Sequence, residues 1–234
     1  MMAGVSSPSP RDLAALAVLR RLPAKAGRRL LSPTDRILIA SDLHLGDGGK
    51  RDDFTRNAEL VSRALREYYL PRGYSLILNG DVEELQRFEL AAVRRAWKPF
   101  FDLLAEFARG PGLHKIFGNH DFELSLRGDC YPAAELLESL WLETGENRLL
   151  VFHGHQASAF LTGFAPLVGF VLRYVATPLG IQAYSTSLDN RRKYRVERRA
   201  YAFAAGQRAV ALIGHTHPPL FETLSKLESL EYRI

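Results

Sequence analysis

Five strand-length apolar runs, each ending in a short cluster of Asp, Asn or His, constrain this chain more than any other feature of its sequence. Ile37 to Ala40 runs into Ser41-Asp42-Leu43-His44, Ser75 to Leu78 into Asn79-Gly80-Asp81, and Leu113 to Phe117 into Gly118-Asn119-His120-Asp121. Leu149 to Phe152 ends in His153-Gly154-His155, and Ala209 to Ile213 ends in Gly214-His215-Thr216-His217. Such runs suit strands buried on both faces. Their polar ends then fall where open α/β sheets place ligand sites. An Asn-His-Asp triplet alone reads as a polar turn, but five such clusters in order do not. No fixed-period repeat relates the runs, so they read as separate strands of one sheet in an α/β fold.

The segments between the runs read as helices. Asp52 or Asp53 can cap a helix whose apolar positions are Phe54, Ala58, Val61, Leu65 and Tyr68, stopped by Pro71 and Gly73. A longer helix from Glu89 to Ala108 turns Trp97, Phe101, Leu104 and Phe107 to the core. Gly80 permits the sharp turn that aims Asp81 at the site. In an extended chain Asp42 and His44 share one side, so carboxylate and imidazole converge.

At 234 residues and 47% apolar, the chain supports one large core, read as a domain over 35–234 with an insertion at about 156–206. The net charge of +5 points to anionic partners such as phosphates, nucleic acid or acidic headgroups. Cys130 is the single cysteine, which excludes an intrachain disulfide, fits a reducing compartment and reads as packing. Residues 1–34 read as a basic extension, with six basic residues between Arg11 and Leu31 against Asp12. This is either a solvated segment or helix on the domain or an interfacial segment on an acidic membrane. Leu13 to Leu19 is too short for a secretory signal, so a cytoplasmic location is expected, with peripheral contact at the inner membrane face. Ala159 to Ile181 approaches spanning length, but Arg173 at its centre, Pro166 and Pro178 argue against a span.

Asp42, His44, Asp81, Asn119, His153, His215 and His217 together offer three oxygens and four imidazole nitrogens, with no thiolate. That set suits borderline first-row ions, manganese first and iron, zinc or cobalt as alternatives. Seven ligands exceed one such ion. Two ions sharing Asp81 as a bridge would use them all. Two metals about 3.5–4 Å apart clamp a phosphoryl group and lower the pKa of a bridging water, so the implied reaction is hydrolysis of a phosphate ester or anhydride.

In its ordered Asp-x-His, Gly-Asp, Gly-Asn-His-Asp, His-Gly-His and Gly-His-x-His motifs, from residue 36 to about 221, the chain resembles the calcineurin-like metallophosphoesterases. The resemblance implies a four-layer α/β/β/α sandwich of two sheets flanked by helices, with a helical lid insertion. It implies that Asp42, His44, Asp81 and His217 hold one metal and Asp81, Asn119, His153 and His215 the other. It also implies that His120 contacts the phosphate or protonates the leaving group while Asp121 orients it. The chain ends at Ile234, and Pro218 to Phe221 can begin one further strand.

Within the insertion, Phe160 to Ile181 is apolar and Asn190 to Arg199 carries Arg191, Arg192, Lys193, Arg195, Arg198 and Arg199. An apolar flap followed by a basic strip can hold acyl chains over the metals while Arg191, Arg192 and Arg195 pair with phosphates. The alternative is a pair of helices packed on the domain with a solvated basic face. The lid resembles that of the branch hydrolysing UDP-2,3-diacylglucosamine, a lipid-linked nucleotide. His120 brings the chain nearer the general phosphoesterases. Two rivals stand beside that substrate: a soluble phosphomonoesterase, phosphodiesterase or nuclease that reads the basic strip as a polyanion face, and a scaffold that keeps the fold without catalysis. A scaffold would lack ligands, whereas all seven are in place here.

Overall fold

The computed structural model describes residues 10–126, 131–132, 135–145, 147–158 and 190–217. Ala159 to Ile181, Cys130 and Pro218 to Phe221 lie outside them. The first sheet has the order β2 (Ile37–Ala40), β3 (Ser75–Asn79), β4 (Leu113–Ile116) and β5 (Leu136–Leu137), all parallel. The second runs β1 (Gly27–Leu30), β6 (Ser139–Thr144), β7 (Asn147–Phe152) and β8 (Val210–Leu212). In it β6 and β7 form an antiparallel hairpin while the outer pairs are parallel. The five expected strands are therefore divided, three in one sheet and two in the other, and do not make the single sheet that the runs suggest.

Side-chain alternation explains the layering. In β3, Leu76 and Leu78 pack with Phe100, Leu103, Leu104 and Phe107, whereas Ile77 points the other way, to Ile116, Leu140, Leu142 and Val151. In the second sheet Leu140, Leu142 and Val151 face inward, and Trp141, Leu150 and Phe152 face outward to Leu19, Leu22, Val196, Ala200 and Phe203. Those outer partners belong to α1 (Pro10–Leu19), α2 (Leu22–Lys25) and α6 (Asn190–Gly206). On the opposite side lie α3 (Ala58–Arg63), α4 (Leu90–Ala96) and α5 (Lys98–Arg109). The result is an α/β/β/α sandwich, and each fully buried large side chain contributes roughly 1.5–3 kcal/mol.

Three departures from the sequence reading have local causes. Residues 10–30, read as part of an extension, bury Leu19 and Leu22 and supply edge strand β1. The long helix breaks at Trp97, where φ is −107° and ψ 26°. Pro99 removes an amide and its ring clashes with the carbonyl four residues back, so α5 starts afresh with Pro99 in its first turn. In the earlier segment Asp52 accepts from Phe54 N at 3.0 Å, as a cap should. Beyond α3, however, the helix widens into a π turn at Ala64–Tyr69, which changes its phase and leaves Tyr68 about half exposed.

Candidate metal centre

The loops after β2 and β3 continue the parallel ladder for several residues. Asp42 N donates to Gly80 O and His44 N to Asp81 O, both at 3.0 Å, so two ligand-bearing segments run side by side. Asp42, His44, Asp81, His215 and His217 all have positive φ, between 51° and 68°. A left-handed conformation costs a non-glycine residue about 1–3 kcal/mol and persists only where surrounding contacts over-determine it. The convergence of Asp42 and His44 thus comes from turned backbone and not from extended alternation.

Ligand atoms lie within 4.8 Å of one another in three groups: Asp42, His44 and His217; Asp81, His153 and His215; and His44, Glu84 and His120, the last joined by hydrogen bonds from both rings to the carboxylate. Two of these groups fall within the sets that the resemblance implies, without Asp81 in the first and Asn119 in the second. His217 Nε2 is 3.0 Å from Asp42 Oδ1. His153 Nε2 comes within 2.9 Å of Asp81 Oδ2 without a hydrogen-bonding alignment. Nε2 of His44, His153 and His215 and Oδ1 of Asn119 are buried without a hydrogen-bond partner. Leaving such atoms bare costs about 1–3 kcal/mol each, so their common lack of a partner fits a cation.

The other ring nitrogens fix the tautomers. His153 Nδ1 donates to Asn79 O at 2.9 Å, and His44 Nδ1 donates to Glu84 Oε2 at 3.0 Å. Each ring, when neutral, therefore presents an Nε2 lone pair, as metal-binding histidines do. Burial, then the neighbouring charge of His153, pushes His215 down to about 3 and keeps it a neutral donor. Burial opposes charge on His153, yet Asp81 outweighs it and pushes the ring up to about 9. A proton and a cation thus compete for that nitrogen. For Asp42, burial is outweighed by the hydrogen bond to His217 and the charge of His153, which hold it below the usual carboxylate range. Asp81 is driven well below that range, since His153 and His120 outweigh its burial.

Glycines allow these close approaches. A Cβ on Gly118 would lie 2.1 Å from Asp81 Oδ1, and one on Gly80, at φ 80°, would lie 2.4 Å from His153 Nδ1.

His120 sits beside the ligands with its side chain 26% exposed. Its backbone N donates to Asp81 Oδ1 at 2.8 Å, and its ring meets that of His44 edge to face at 4.8 Å. The residue that orients it is Glu84, whose Oε1 accepts from His120 Nδ1 at 2.8 Å. Burial opposes charge on His120, but Glu84 and Asp81 push it up to about 10, so the ring is an imidazolium at neutral pH. Reciprocally, the charges and hydrogen bonds of His120 and His44 overcome burial and bring Glu84 down to about 2.

Asp121 does not have the role expected of it. Its Oδ2 accepts from Lys115 Nζ and, at 3.0 Å, from Val82 N, while Oδ1 accepts from Gly118 N at 2.5 Å. The spacing Asp81-x-x-Glu84 was the one signal for Glu84, because it puts a carboxylate one short turn beyond a ligand.

Of the basic strip, Arg195 is exposed on α6, and the side chains of Arg191 and Arg192 lie outside the described set. Arg199 faces inward, with Nε 2.7 Å from Asp12 Oδ1 and Nη1 donating to Ala157 O at 2.8 Å. The described part of α6 thus packs on the domain, and Arg199 is a tie and not a phosphate contact. Among the described residues no helix is long and apolar enough to cross a membrane.

Residues 36–230 match the family model of the calcineurin-like phosphoesterase superfamily domain. No curated protein matches the chain.

Proposed function

Because the chain belongs to the calcineurin-like phosphoesterase superfamily and is a metal-dependent phosphohydrolase, we propose that it hydrolyses a phosphodiester or pyrophosphate bond in an acylated, nucleotide-linked substrate of the UDP-2,3-diacylglucosamine type, using two manganese ions. The observation that supports two-ion hydrolysis is the pair of three-ligand sets with their unpartnered Nε2 atoms. Asp42, His44, Asp81 and His217 would hold one ion, and Asp81, Asn119, His153 and His215 the other. The ions would neutralise charge on the phosphoryl oxygens and lower the pKa of the attacking water.

The remaining chemistry falls to His120. Glu84 takes its Nδ1 proton in a hydrogen bond, so the transferable proton is on Nε2. Donation from Nε2 to the departing oxygen cancels the negative charge that develops on that atom as the P–O bond breaks, and solvent reprotonates the ring through its exposed edge. Glu84 holds the ring in one orientation through both states.

Chain connectivity supports an acylated substrate. The apolar segment 159–181 begins directly after the loop of His153, and the chain returns in α6, which Arg199 ties to that loop through Ala157 O. We read this apolar segment as a cover for acyl chains at a peripheral membrane site. The test is turnover by the manganese-loaded protein of UDP-2,3-diacylglucosamine, UDP-glucose and single-stranded DNA. Preference for the acylated nucleotide is expected. Equal cleavage of plain nucleotides, or DNA cleavage that weakens steeply with salt, would move the assignment to a soluble phosphodiesterase.

A further inference from the structure

Lys115 lies on β4 with its side chain fully buried, between two carboxylates. Its Nζ is 2.9 Å from Glu83 Oε2, bonds Asp121 Oδ2, and stands 5.4 Å from the centre of the Tyr131 ring. Removing an ammonium from water costs several kcal/mol, and a residue needed only to fill this space would be apolar. Burial opposes its charge, but Asp121 and Glu83 outweigh it and raise its pKa, so the lysine remains an ammonium.

The carboxylates that hold Lys115 are attached to the loops of the metal centre. Glu83 lies between Asp81 and Glu84 in sequence. Asp121 takes Val82 N on that same loop, and it takes Gly118 N at the start of the loop carrying Asn119 and His120. One ammonium therefore joins the segment after β3 to both ends of the segment after β4. Smaller links run alongside, from His120 N to Asp81 Oδ1 and from Gln86 Nε2 to Asn119 O.

We propose that Lys115 is a positioning residue for the metal centre, which through Glu83 and Asp121 sets the spacing between Asp81 and Asn119 and the place of His120 relative to both. The inference rests on the two-ion reading above. Lys115 touches neither substrate nor ions; it fixes the frame on which one ligand set is spaced from the other.

The test uses the full chain as Lys115→Met and as Lys115→Met/Glu83→Gln. The double variant removes ammonium and one carboxylate together, so the net buried charge is unchanged, and Asp121 keeps its two backbone donors. Manganese affinity by calorimetry, the exchange-coupled dimanganese signal by electron paramagnetic resonance, and kcat and KM on bis-p-nitrophenyl phosphate are measured. The expected result is a folded double variant with manganese affinity weakened about tenfold or more, the size usual for outer partners of metal ligands. Its coupled signal should be altered, and the fall in turnover should lie in kcat. Native affinity, signal and kcat in the folded double variant would overturn the role. So would its failure to fold, which assigns the network to stability alone. Wild-type protein without manganese-dependent turnover would instead remove the two-ion reading itself.

Discussion

Glu84 Oε1 lies 2.8 Å from His120 Nδ1, a pairing across two loops that are 36 residues apart in sequence. The other oxygen of the same carboxylate holds His44 Nδ1 at 3.0 Å, so one buried side chain orients both a metal ligand and the proposed proton donor. The two charges support each other: His120 is pushed up to about 10 and Glu84 down to about 2.

Replacing Glu84 with Gln tests that coupling. His120 has a folded pKa above its ordinary value, so its proton, and the stability that comes with it, is complete below about 6.5 and lost as pH rises through about 10. Without the carboxylate the folded pKa falls, and the alkaline limb of kcat should move to lower pH. At pH 9 the variant should turn over roughly a hundredfold more slowly, the scale of a lost general acid. Metal content measured beside the pH profile separates this from damage to His44. An unshifted alkaline limb with both metals bound would mean that His120 does not supply the proton.

Metal loading should also register as stability. The Nε2 atoms of His44, His153 and His215, without hydrogen-bond partners among the described residues, are polar groups that a bound cation would satisfy. At a hundred times its dissociation constant a ligand adds about 2.7 kcal/mol. For a domain of this size that corresponds to a rise of roughly 5–10 °C in Tm. Scanning fluorimetry of chelator-treated protein across a manganese titration measures it, with His215→Ala losing part of the rise. A flat titration would contradict a preformed two-ion centre.

The residues proposed as metal ligands stood out in the sequence because each sits within a few residues of a strand end, so local spacing carries the information. The partition into two sheets came from the family resemblance and not from the runs themselves, since β7 and β8 differ from β3 and β4 only in which neighbours they meet through space. Edge strand β1, with Arg28 and Arg29 in a four-residue segment, has too little apolar pattern to stand out. The family resemblance pointed to Asp121 as the partner of His120, but the tight turn directs that carboxylate at Gly118 N and Lys115, leaving Glu84 to the imidazole. Lys115 escaped notice inside a run read as apolar, because its two counter-charges come from other segments. The positive φ angles of the ligands are likewise set by the ladder between loops and leave no mark in residue type.

The two kinds of arginine on α6 give a final prediction. Arg199 is 11% exposed at its side chain, binds Asp12 on α1, and reaches Ala157 O beside the loop of His153. Cutting a largely buried pair strands the partner charge, so Arg199→Ala should destabilise the fold by about 2–4 kcal/mol. Its kcat on bis-p-nitrophenyl phosphate should stay native below the melting range, because Arg199 makes no contact with the ligands. Arg195 is exposed and has no comparable tie among the described residues, so Arg195→Ala should leave Tm unchanged within about 1 °C, as ordinary surface substitutions do. If the basic strip pairs with substrate phosphates, that same variant should raise KM for the acylated nucleotide while sparing the small chromogenic diester. Thermal melts and KM values for both variants on both substrates decide the matter. A native KM for the acylated nucleotide in Arg195→Ala would remove this arginine from substrate binding and leave the exposed face of α6 as solvated surface.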